Sequence, residues 1–220
     1  MNYGESLAYW YFRLNGFLPI QNFVLHEPNE ETGQNADIDL LAVRFPHVFE
    51  NIGGHPSDWD NRRFKQWKLS YTSNTVCVIV EVKTGVYKKS SVNRHFDRKR
   101  LEYALLRFGM FPKEAVSEIA GKLEGKPVVE EAGFVLAKVL IDVPTKRPGP
   151  KAEGGLKLCP CLRMTINDTD AFIRQRMRSY KKHKGTSRMF FPGDFVQYLA
   201  WRGGVPLAMD SEDGNEQQNG

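Results

Sequence analysis

The chain has 220 residues, 41% of them hydrophobic and 26% charged, which suits one soluble domain with a full core and argues against two large domains. No apolar run approaches the roughly 20 residues that a membrane span needs, so no membrane partner is expected. A formal net charge of +5 favours an anionic partner.

The start of the chain lacks the basic segment and apolar stretch of a secretory signal, because Glu5, Arg13 and Asn15 interrupt its hydrophobic residues. The expected location is the cytoplasm. Leu7, Trp10, Tyr11 and Leu14 recur at helical spacing and Asn15-Gly16 supplies a stop, so residues 5–15 read as an amphipathic helix with Glu5 in its first turn. Residues 17–26 read as a first strand, followed by a polar loop to Asn35. A second strand carries Asp37 and Asp39 into the apolar run Leu40-Leu41-Ala42-Val43. From about residue 46 to 74 the pattern breaks into Gly, Pro, Asp, Trp and basic residues, which marks an insertion.

A third strand, Thr75 to Lys83, is apolar on both faces until it reaches Glu81-Val82-Lys83. A helix follows in which Leu101, Ala104, Leu105 and Phe108 share a face, and a second in which Ala115, Ile119 and Leu123 do so. Residues 133–142 read as another core strand. Beyond the stiff basic loop at 144–151, a short strand near Leu162 precedes a basic helix capped by Asp168 or Asp170 and running to about Lys184, and a last helix spans about Asp194 to Trp201. The organisation is therefore a core at 1–145, a basic and mainly helical extension at 146–208 packed on it, and a disordered acidic tail at 209–220. A homodimer is compatible with this plan.

The chemistry concentrates on two strands. Successive strand side chains alternate faces, so Glu81 and Lys83 point together while Val80 and Val82 point into the core. Asp39 or Asp37 on the neighbouring strand supplies a second acid, and Asp39 is preferred because it directly precedes the apolar run. Two carboxylates beside an ammonium suit metal-assisted phosphodiester hydrolysis. The acids hold a hard divalent cation through oxygen, and the ammonium orients water or offsets developing charge.

The order helix, strand, strand with Asp39, strand with Glu81-x-Lys83, helix, strand resembles the PD-(D/E)XK nuclease superfamily, the restriction-endonuclease-like and Holliday-junction-resolvase-like enzymes. That resemblance implies an α/β fold with an αβββαβ core and a mixed sheet, a divalent metal (Mg2+ or Mn2+), and hydrolysis of DNA with a 5′-phosphate product. It implies Asp39, Glu81, the Val82 carbonyl and, in second rank, Glu5 as metal ligands, with Lys83 positioning or deprotonating water. Lys99 and Tyr103 stand where some members carry a Gln-x-x-x-Tyr pair, although the Gln is replaced here.

Arg174, Arg178, Lys181, Lys182 and then Arg188 form the densest positive charge and are expected to meet phosphates; a solvated helix face is the plainer alternative. Trp59 and Trp67, interspersed with Arg62, Arg63, Lys65 and Lys68, suit either stacking on unpaired bases or core packing. The five histidines show no metal-ligand spacing, and Cys159-Pro160-Cys161 reads as a loop or strand edge with free thiols. The alternative function is a subunit that binds nucleic acid or regulates without cutting. A nucleotide-binding enzyme is disfavoured, because neither G-x-x-x-x-G-K-S/T nor G-x-G-x-x-G occurs.

Overall fold

The structure is a computed structural model that describes residues 2–25, 36–51, 53–143 and 156–179. Its first helix, α1 (Tyr3–Leu14), begins at a capping box: the Asn2 side chain accepts from the Gly4 and Glu5 amides while Glu5 turns back to the Asn2 amide. Strands β1 (Leu18–Leu25), β2 (Ala36–Arg44) and β3 (Thr75–Lys83) form an antiparallel meander. The chain then crosses the sheet through α3 (Lys89–His95), α4 (Arg98–Phe108) and α5 (Lys113–Glu124) to the short β4 (Val128–Glu131). It enters β5 (Phe134–Asp142), parallel to β3, by a tight turn. Ala132 and Gly133 both have positive φ there, 48° and 83°, as a two-residue hairpin turn requires.

The result is an α/β fold built on a mixed, open six-stranded sheet with six α-helices among the described residues. Its path is β1-β2-β3-β5-β4, and β6 (Leu162–Thr165) pairs in parallel with the second half of β5. Residues of the expected C-terminal extension thus complete the main sheet. The chain continues into α6 (Ile166–Ser179), which lies against α1.

Alternation in β3 and β5 divides the core into two layers. Val76, Val78, Val80 and Val82 pack with α1 and α6, whereas Cys77 and Ile79 pack with α3, α4 and α5. Glu81 continues the second series.

Several expectations need correction. The basic helix starts at Ile166, not at Asp168 or Asp170, because Thr165 is its cap: Thr165 Oγ1 accepts Asp168 N–H at 3.1 Å, and Asp168 returns the bond to Thr165 N at 3.0 Å. Helix α3 and strand β4 have no counterpart in the sequence pattern: α3 has seven residues of which Val92 alone is apolar, and β4 has four, too few for a recurring apolar series to stand out. The insertion contains a 3-10 turn at Pro56–Asp58 and α2 (Asn61–Gln66), and it is part of the core. Trp59 and Trp67 are buried at 8% and 5% exposure, which leaves little ring face for a base and decides for packing. The fully buried Arg44 guanidinium holds the insertion in place, 4.1 Å over Trp59 and 5.0 Å over Tyr71, while donating to the carbonyls of Asn15 and Tyr71. The expected helix at 194–201, the loop at 144–151 and the acidic tail lie outside the described residues.

Candidate active site

The two central strands part where their charged residues begin. The β2–β3 ladder runs from Arg44↔Val76 to Leu40↔Val80 and ends there. The next amide of β3 able to bond toward β2, that of Val82, donates to the Asp39 carboxylate at 2.7 Å. A side chain thus replaces a backbone acceptor, and Asp39 is fixed between the diverging strands.

Glu81 lies beside it and is 2% exposed. Its carboxylate is ion-paired with Lys83, and its Oε2 is 3.2 Å from His95 Nδ1 at the end of α3. Burial, followed by the neighbouring Asp39 charge, pushes the Glu81 carboxyl up to about 8, despite opposition from Lys83 and Arg100. Burial also raises Asp39, with Glu5 adding to the rise and the Val82 amide opposing it. The three acids therefore share one electrostatic neighbourhood.

Glu5 is drawn there by the packing of α1. A side chain at Gly4 would collide with Thr84 and meet Val82 Cγ1 at 3.0 Å, so the absence of a Cβ lets the first turn of α1 close on the end of β3. The Glu5 carboxylate is occupied by the Asn2 amide and side chain, which places it behind Asp39 and Glu81 as a candidate ligand. Asp37 is on β2 opposite Val24, and its side chain lies outside what the structure describes.

Three residues join the site beyond those expected from the sequence. His95 carries no ligand spacing because its partner, Glu81, is on another element. The Arg100 charge acts on Glu81, whereas the expected Lys99 is exposed and Tyr103 packs half-buried on α4. Arg100 was legible: it stands four residues before Ala104 and extends the sheet-facing stripe one turn toward the strand end. Asp142 ends β5 in register with Lys83, accepts from Tyr87 Oη at 2.6 Å and pairs with Arg163.

The basic helix is elsewhere. Helices α1 and α6 run side by side in one direction, with Tyr11 against Phe172 and Arg176 Nη2 donating to Leu14 O. Arg174 and Arg178 therefore stand near the end of α1 remote from Gly4. Arg174 is bound to Asp170 at 2.8 Å, while Arg178 is exposed. Lys181, Lys182 and Arg188 lie outside the described residues.

The donor set suits a hard divalent cation: the buried Glu81 and half-buried Asp39 carboxylates both have raised proton affinity even with Lys83 beside them, which a cation between them would relieve. Among the described residues, no cluster of three or more His, Cys, Asp or Glu side chains has a metal-holding arrangement, so backbone oxygen and water would complete the shell. Comparison of the chain with protein-family models, curated proteins and solved structures gives no match. No helix among the described residues is long and apolar enough to cross a membrane.

Proposed function

We propose that the chain is a metal-dependent deoxyribonuclease of the PD-(D/E)XK type with a restriction-endonuclease-like core. The observation that carries this reading is the parting of β2 and β3, filled by Asp39 and flanked by buried Glu81 with Lys83. The order of α1, the β1–β3 meander, α4 and parallel β5 supports it.

Asp39, Glu81 and the Val82 carbonyl would hold Mg2+ or Mn2+, with Glu5 behind them. Bound there, the cation would supply charge stabilisation for the phosphate and a more acidic water. Lys83 stays next to Glu81 and places its side-chain nitrogen where an attacking water needs orientation. His95 stands 3.2 Å from the other oxygen of the same carboxylate, and the Arg100 charge acts on it from α4. Lys99 and Tyr103 on α4, and the basic residues of α6 and beyond, are the proposed contacts for a DNA backbone in the cytoplasm.

Purified protein incubated with linear, circular, single-stranded and branched DNA should cut at least one of them with Mg2+ or Mn2+ and none in excess chelator. Binding without cleavage under every metal condition would favour the non-cutting subunit instead.

A further inference from the structure

A second reactive cluster lies outside the carboxylate site, on the segment that leads into β6. Asn93 of α3 fastens this segment twice, donating to Lys157 O at 2.9 Å and accepting the Cys159 amide at 2.7 Å. Lys89 Nζ adds a bond to Leu156 O at 3.3 Å. The chain bends at Pro160, and Cys159 and Cys161 on either side of the bend pack half-buried against the α3–α5 layer. Their thiols lie close enough for each to shift the other's titration.

Beside them is a lysine that the carboxylate site does not use. Lys138 of β5 is fully buried; its Nζ donates to Glu124 O at 2.9 Å and lies 5.8 Å over the Phe96 ring. Burial lowers its hold on a proton, opposed first by Cys159 and Cys161 and then by the Glu124 carboxylate. A buried ammonium in an apolar layer calls for a nearby anion. A Cys159 thiolate, still reachable from solvent, supplies one. The neighbouring Cys161 thiol, then the Lys138 charge, holds the Cys159 thiol down at about 7, while Cys161 is raised and keeps its proton. Cys77, by contrast, is fully buried and pushed up to about 12.

We propose that Cys159 and Cys161 form a redox-active thiol pair, in which the Cys159 thiolate is the nucleophile toward hydrogen peroxide and Cys161 resolves the product to a disulfide. The Cys159 sulfur attacks one peroxide oxygen, the O–O bond breaks, and hydroxide leaves as Cys159 becomes a sulfenic acid. The Cys161 sulfur then attacks the Cys159 sulfur; an S–S bond forms, the S–O bond breaks, and the departing hydroxide takes the Cys161 proton as water. In sum, two thiols lose two electrons and two protons, and one peroxide becomes two waters. The bend at Pro160 draws the two residues closer than an extended strand would, as a disulfide's short span requires.

The test treats the intact protein with hydrogen peroxide, quenches with catalase, unfolds it, labels thiols with N-ethylmaleimide and maps the peptides. The expected result is labelled Cys77, unlabelled Cys159 and Cys161, and a single peptide lighter by two hydrogens. Cys161→Ser should stop at a sulfenic acid on Cys159 that dimedone traps. Before oxidation, at pH 7, Cys159 should react with iodoacetamide about tenfold faster than Cys161. Labelling of both residues after a dose that oxidises glutathione in the same tube would overturn the proposal, as would equal alkylation rates. Both readouts use the unsubstituted protein and so do not depend on how a variant folds.

Discussion

At the scale of single residues, the carboxylate pair is held by strand geometry and its charge is costly to the fold. Asp39→Ala, Glu81→Ala and Lys83→Ala should each lower DNA cleavage by at least about a hundredfold while DNA binding persists, because each removes charge stabilisation at the reacting phosphate. Glu5→Ala should cost less, since its carboxylate is already engaged with Asn2. Full cleavage by Lys83→Ala in a single-turnover assay would remove the assignment. A pH effect follows from the same burial. The Glu81 carboxyl titrates at about 8 in the fold against an ordinary 4.5, so the folded state binds its proton more tightly than the unfolded chain does. That contribution is complete below about 4.5 and is lost as pH rises through about 8. Thermal unfolding in chelator should therefore show Glu81→Gln gaining on the unsubstituted protein between pH 5 and pH 8.5. A melting-temperature difference independent of pH would mean that Glu81 is ionised in the fold throughout.

At the scale of elements, what could be read from the sequence was whatever repeats along one segment. Strand β3 was legible to the residue because its run is apolar on both faces, and α1, α4 and α5 because each carries a sheet-facing stripe. Asp39, Glu81 and Lys83 were legible because charge interrupts such a run. His95 and Asp142 were not, since their partners, Glu81 for one and Tyr87 and Arg163 for the other, lie on other segments that only the fold brings near. Trp59 was ambiguous for a similar reason: the cation that lies over it is Arg44 of β2, not one of its basic neighbours in sequence. The β4–β5 turn shows a local misfit that can be tested. Ala132 is left-handed, with φ 48°, a conformation that costs a residue bearing a Cβ about 1–2 kcal/mol. Asn tolerates it and, before Gly133, would complete the favoured Asn-Gly pair. Ala132→Asn should raise the melting temperature by roughly 2–4 °C for each kcal/mol recovered. No change in calorimetry would mean that the turn is relaxed in solution.

At the scale of the whole molecule, the distance between the carboxylates and the basic helix constrains how DNA could lie. The Asp39–Glu81 pair is at the end of α1 that holds Gly4, and Arg176 touches Leu14 at the other, ten residues along the helix. At 1.5 Å per residue the two regions are separated by about 15 Å, the rise of roughly four to five base pairs. A duplex cut at the carboxylates must extend at least that far before phosphates can reach Arg174 and Arg178. The basic helix should therefore act on long substrates and be silent on short ones. Replacing Arg174, Arg178, Lys181 and Lys182 together with Gln should weaken binding of a long duplex whatever its sequence. The salt dependence should flatten by roughly 0.9 for each phosphate that the protein no longer neutralises. A duplex ending within about three base pairs of the cut should bind both proteins alike. A salt titration on both lengths separates the possibilities: equal losses would place the basic helix next to the carboxylates, contrary to the packing of α6 on α1, and no loss on either would leave it a solvated face.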